Sequence, residues 1–168
     1  MSLGPAGIRD ELLLEFFLAF AKFEFALKHA GFFKRPRRID PTDPPDAQPD
    51  WDCFASSIRL VLEDDADPSF RDACQYILAH PPDREVILNG SVVWEAKGLA
   101  PHLPLADRIL ICVRRVRNNL FHGAKHSRTH DSDPQRNERL LRCSLTVLTA
   151  CLRASPSPEI SAKGPPHD

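Results

Sequence analysis

Apolar residues recur at steps of three and four along much of this chain, and that spacing constrains the fold more than any other feature of the sequence. It is typical of amphipathic helices. Together with helix-forming composition and capping residues, it predicts helices over residues 8–31, 50–64, 67–80, from residue 105, and over about 135–153. The sequence therefore predicts an all-α fold, a bundle of four to five helices.

The first of these segments is unusually aromatic. Seven of the ten phenylalanines fall between Phe16 and Phe33, and they cover more of the helix circumference than one amphipathic stripe requires. Gly31 stands where a C-terminal cap is expected. Such a helix is either buried among several neighbours or presents one face to a second subunit.

A second kind of pattern interrupts the helices at "REVILNGSVVWE", residues 84–95. Two runs of β-branched residues flank Asn89-Gly90, which predicts a small β-hairpin inserted in a helical protein. "KRPRR" (34–38) and the proline-rich residues 40–50 predict an exposed loop, whose basic run is either solvated surface or an RNA contact.

The length of 168 residues suits a single domain, which we place at residues 1–153, followed by a disordered tail at 154–168. The formal net charge is −1, so nucleic-acid binding requires a local basic patch.

Five cysteines without a C-x-x-C pair indicate reduced thiols rather than disulfides or a zinc site. No uncharged run approaches a membrane span and no signal sequence is evident, which favours a cytoplasmic protein.

The most distinctive stretch is "RRVRNNLFHG" at residues 114–123. At 100° per residue, Arg115, Asn118 and His122 share one sector of a helix, whereas Arg117 lies about 140° from His122. These cations either cap the helix end, or they act on a phosphate. Histidine transfers protons near neutral pH, arginine pairs with phosphate oxygens, and an amide can fix the tautomer of an imidazole.

"RNNLFHG" resembles the signature of the HEPN superfamily (higher eukaryotes and prokaryotes nucleotide-binding), an arginine, a polar residue and then a histidine. Arg117, Asn118 and His122 match these positions. "FAKFEFALKHAGF" at 20–32, "LNGSVVW" and "RNNLFHGAKH" extend the resemblance to a bacterial and plasmid-borne subgroup, over roughly residues 10–153.

The resemblance implies a HEPN-like helical bundle and a metal-independent endoribonuclease without a cofactor, often a toxin or phage-defence effector with a cognate antitoxin. It implies a homodimer whose two Arg–His motifs meet in one cleft, with Arg117 and His122 catalytic and Asn118 supporting them. Cleavage would use the 2′-hydroxyl of RNA and leave a cyclic phosphate. The alternative is a non-catalytic HEPN module that binds RNA, a nucleotide or a protein partner.

Other charged residues are assigned around this motif. Arg114, Arg115 and Lys125 are candidate RNA contacts or solvated charges. Glu24 and Lys28, four residues apart on the first helix, either form a surface pair or lie beside the cleft.

The spacing of His122, His126 and His130 would suit zinc on a helix. The glycine and the hydroxyl residues between them favour a loop, so we expect no metal site.

Overall fold

The computed structural model describes residues 8–34, 44–122 and 133–156. Over these ranges the chain forms five helices and one two-stranded antiparallel hairpin, which confirms the helical fold and the inserted hairpin predicted from the sequence. In chain order the elements are α1 (Asp10–His29), α2 (Trp51–Glu63), α3 (Pro68–Ala79), β1 (Arg84–Leu88), β2 (Ser91–Glu95), α4 (Leu105–His122) and α5 (Pro134–Ala154). The tail predicted at 154–168 lies mostly outside the described residues.

Gly31 ends α1 as its position in the sequence predicts. Its φ of +90° places it in the left-handed region. The Phe32 N–H donates to the Leu27 carbonyl at 2.9 Å, and the Gly31 N–H donates to the Lys28 carbonyl at 3.2 Å. These two bonds satisfy carbonyls that the helix end would otherwise leave unpaired. The helix is shorter at both ends than the predicted residues 8–31.

Aspartates begin three of the other helices. The side chains of Asp50, Asp67 and Asp133 accept hydrogen bonds from backbone N–H groups two or three residues further on. Pro68 and Pro134 follow two of these caps, where proline's missing N–H costs no intrahelical bond. Local sequence therefore determines where these helices start.

Two sets of helix contacts dominate the packing of the bundle. α5 packs against α1 and α3, whereas α2 packs against α4. Aromatic rings join α1 to α2: Phe23 stacks on Trp51 with ring centroids 5.3 Å apart and meets Phe54 edge-on at 5.4 Å. Burial of these rings contributes hydrophobic stabilisation between the two helices.

Most of the apolar residues that recur at helical spacing are buried or half-buried. On α4, Ile109, Cys112 and Val113 are fully buried, as expected. Val61 of α2 recurs at the same spacing, but 54% of it is exposed. It lies in the last turn, about 60° around the helix from the fully buried Ile58, where none of the described helices covers it.

The aromatic first helix has both a buried side and an exposed side. Phe16, Phe20 and Phe23 are in the core, but Leu14 and Phe25 are exposed on the outer face together with Leu18. The helix is therefore not buried on all sides within one chain.

The cysteines are free, and most of them are buried in the core. Burial raises the pKa of Cys74 to about 12 and that of Cys112 to about 11. Cys53, near the start of α2, is exposed.

The hairpin is closed by a two-residue turn. Asn89 and Gly90 both have positive φ, 51° and 77°, as a type I′ turn requires. The pairing aligns Arg84 with Glu95 at the base, where the guanidinium donates to the carboxylate at 2.7 Å. That contact lowers the pKa of Glu95 below its ordinary value.

Within the described ranges, no helix is long and apolar enough to cross a membrane.

Candidate functional site

The core stripe of α4 determines which of its polar residues can form a site. Cys112, Val113 and Val116 face the interior, so the residues between and after them are directed elsewhere. Arg114, Arg117 and Asn118 line a cleft with a cavity volume of about 260 Å³. Its other lining residues are Phe20 and Glu24 of α1, Lys34, Gln48, Pro49 and Trp51. We call this the arginine cleft.

Arg117 and Asn118, matched to the HEPN motif, are in direct contact. The Arg117 guanidinium donates to Asn118 Oδ1 at 3.1 Å. Its Cζ also lies 5.7 Å from the centroid of the Phe20 ring. Arg117 is half-buried and Asn118 exposed, so both are accessible from the cleft.

Arg114 lies one helical turn before Arg117 and has a similar environment. Its Cζ is 5.7 Å from the centroid of the Trp51 ring, within the range of a cation–π contact. The structure thus brings the candidate RNA contact Arg114 into the same cleft as the two motif residues.

A short backbone pairing forms the opposite wall. The Lys34 N–H donates to the Gln48 carbonyl at 2.8 Å, and Phe33 and Pro49 form an isolated antiparallel bridge. This pairing places Lys34 and Gln48 at the cleft although 13 residues separate them in the sequence.

Glu24 of α1 also lines the arginine cleft. Lys28 is half-buried in the last turn of α1 and is not among the lining residues. The lining therefore has three cationic side chains and one carboxylate, a formal net charge of +2 in a chain whose net charge is −1. A local positive potential of this kind attracts phosphates.

Arg115 is directed away from the cleft. Its guanidinium donates to the Lys97 carbonyl at 2.8 Å and to the Pro82 carbonyl at 3.3 Å. Nearby, the Asn119 side-chain amide donates to the Asp83 carbonyl at 2.9 Å. These contacts attach both ends of the hairpin to α4, so the structure does not bring Arg115 together with Arg117 and Asn118.

The histidine of the motif is the last residue of α4. The side chain of His122 lies outside the described part of the structure, as does Lys125, and the same holds for His126 and His130 of the zinc alternative. Among the described residues, no group of three or more His, Cys, Asp or Glu side chains is placed to hold a metal ion.

Several lining residues were not identified as site residues from the sequence. Phe20 is four residues before Glu24 and shares its side of α1, which was the one available signal. Trp51 is only 4% exposed, and an apolar residue at the start of a helix is more readily interpreted as part of the core. No local pattern relates Gln48 or Pro49 to α4, because their proximity depends on the folded chain.

Comparisons with protein-family models, with curated proteins and with solved structures find no match to this chain. The likeness to the HEPN superfamily therefore rests on the motif residues and the sequence segments around them.

Proposed function

We propose that this protein is a HEPN-like, metal-independent endoribonuclease that binds an RNA phosphodiester in the arginine cleft. The observation that carries the proposal is the placement of Arg117 and Asn118 in one cleft with Arg114, where the formal charge of the lining is +2. The order of arginine, polar residue and histidine supports the assignment to this class of nuclease.

In this mechanism Arg117 stabilises charge on phosphorus. A guanidinium offers a planar set of N–H donors that matches two phosphate oxygens, and the attack on phosphorus increases the negative charge on those oxygens. Its contact with Asn118 fixes one edge of the guanidinium at 3.1 Å. Because the Asn118 oxygen accepts that bond, its amide N–H groups are the part suited to donate to a phosphate oxygen or to an imidazole nitrogen.

His122 transfers protons. It follows Asn118 by four residues on the same helix, a spacing at which side chains are neighbours. An imidazole changes protonation near neutral pH, so one histidine can accept the 2′-hydroxyl proton and another can donate to the leaving group. A homodimer would supply both histidines at one phosphate.

The reaction is balanced without a co-reactant. The RNA 2′-oxygen forms a bond to phosphorus and its proton passes to the base. The bond from phosphorus to the 5′-oxygen breaks, and that oxygen receives a proton. The products are a 2′,3′-cyclic phosphate and a 5′-hydroxyl end, so DNA is not cleaved. As in many HEPN systems, the proposed role is that of a cytoplasmic toxin or phage-defence effector, with an antitoxin protein as a possible partner.

The test is to incubate the purified protein with end-labelled single-stranded RNA in EDTA, beside the variants His122→Ala and Arg117→Gln. We expect cleavage by the wild type, with cyclic phosphate ends, and loss of cleavage in both variants. A DNA strand of the same sequence should remain intact. Equal cleavage by wild type and variants would refute the assignment, because the activity would then come from a contaminant.

A non-catalytic module is the second candidate function, and the same cleft supports it. Arg114 and Arg117 can bind a phosphate whether or not a proton is transferred. Retained RNA binding without cleavage, abolished by Arg117→Gln, would favour this candidate.

A further inference from the structure

Two buried aromatic rings lie under the two arginines of the cleft. Phe20 and Trp51 are each 4% exposed, and their ring centroids are 5.4 Å apart. The Arg117 guanidinium lies over Phe20 and the Arg114 guanidinium over Trp51, each with its Cζ 5.7 Å from the ring centroid. Phe20 and Trp51 therefore form a continuous surface, which we call the aromatic floor.

The aromatic floor is fixed by the core behind it. Phe23 stacks under Trp51 with an interplanar angle of 18°, and Phe54 packs edge-on against Phe23. Trp51 is the first residue of α2, and Asp50 caps that helix. The rings consequently have little freedom to move, and the guanidiniums above them are restricted as well.

The two guanidiniums form a like-charged pair. Side chains three residues apart on a helix are neighbours, and like charges at this spacing repel each other. A guanidinium over a ring face carries N–H donors along its edges, and these can bind an anion. A phosphate placed between the two arginines would relieve the repulsion and accept hydrogen bonds from both.

We propose that Phe20 and Trp51 are positioning residues, which hold the guanidiniums of Arg114 and Arg117 side by side so that both bind one phosphate group. The inference rests on the proposed function only in taking a nucleic-acid phosphate as the ligand. It assigns the aromatic floor a role in binding that is separate from its role in the core.

Trp51 itself can report on the contact. The chain has two tryptophans, and the variant Trp94→Phe leaves Trp51 as the only one. A single-stranded DNA oligonucleotide serves as the probe, because it carries phosphates but lacks the 2′-hydroxyl used for cleavage. We expect its titration to change the Trp51 emission in a saturable manner, and Arg114→Gln in the same background to remove that change.

Substitutions of the floor test positioning directly. Trp51→Leu should weaken binding of a labelled oligonucleotide, measured by anisotropy, about two- to fivefold. Trp51→Phe keeps an aromatic face and should restore most of the affinity. Arg139→Lys is the matched control, because Arg139 stacks on Tyr76 at 4.0 Å on another part of the bundle and should leave affinity unchanged.

Circular dichroism identifies any variant that fails to fold. In that case the Trp51 emission and the affinity of Arg114→Lys test the positioning role. Arg114→Lys keeps the charge but loses the planar guanidinium and its several N–H donors, and it should also weaken binding. Oligonucleotide binding without any response of Trp51, equal affinity of Arg114→Lys and wild type, or no binding at all would each overturn the positioning role. A positive fluorescence result with no RNA cleavage would refute the nuclease while leaving the aromatic floor in place.

Discussion

Arg114, Arg115 and Arg117 are almost adjacent in the sequence but have different environments, and substitution by glutamine should separate their roles. Glutamine removes the charge while keeping a long side chain with a similar helix propensity. Arg114 and Arg117 line the arginine cleft, whereas Arg115 binds the carbonyls of Lys97 and Pro82. The first two substitutions should therefore affect ligand binding, and the third should affect stability.

The magnitudes follow from the contacts. Arg115→Gln removes two hydrogen bonds, each with a net value of about 1 kcal/mol, so the free energy of unfolding should fall by about 2 kcal/mol. For a domain of this size that corresponds to a Tm lower by roughly 4–8 °C. Arg114→Gln removes one partly exposed cation–π contact, so its free energy of unfolding should fall by only about 0.5–1 kcal/mol.

Salt dependence gives the complementary measurement. Each cation that contacts a phosphate of a single strand contributes about 0.7 to the slope of log K against log salt. Anisotropy of a labelled oligonucleotide between low and moderate salt should show slopes smaller by about 0.7 for Arg114→Gln and for Arg117→Gln. Arg115→Gln should leave the slope unchanged. A flatter slope together with an unchanged Tm for Arg115→Gln would refute its role in anchoring the hairpin.

Three further predictions concern the scaffold. Phe54→Ala should lower the free energy of unfolding by about 3–5 kcal/mol in chemical denaturation, because the ring is fully buried; a loss below about 1 kcal/mol would contradict the packing. Hydrogen bonds from Ser69 and from the Arg153 guanidinium lower the pKa of Asp67 from 3.8 to about 2. Its ionised form therefore stabilises the fold above about pH 4, and that contribution is lost as the pH falls towards 2; Asp67→Asn should weaken this acid dependence in thermal scans. A thiol reagent should label Cys53 first in the native protein, since it is exposed while the core thiols are buried; mass spectrometry of the labelled peptides would show any other order.

The helices of this protein could be predicted because their signals are local. Asp50 and Asp67 cap helices within three residues, and Gly31 supplies the positive φ that ends α1. Asn89-Gly90 similarly specifies the hairpin turn. Each of these effects depends on atoms a few bonds or one helical turn apart, which the sequence displays directly.

The candidate site could be predicted only in part. The motif identified Arg117 and Asn118, and helix spacing placed Glu24 on a face that turned out to line the cleft. The same spacing grouped Arg115 with Asn118, but the hairpin carbonyls bind its guanidinium. An isolated helix wheel cannot show this competition, because it contains no information about which other element lies against each face.

The sequence by itself determined the order of the helices and the approximate position of each, since these depend on periodicity and on short-range hydrogen bonds. Only the tertiary structure decided that Phe20 and Trp51 lie beneath two arginines of α4, more than sixty residues further along the chain. The physical reason is that a binding cleft depends on contacts between side chains far apart in the chain. Those contacts exist only after the apolar faces of several helices have packed together and fixed their relative rotation.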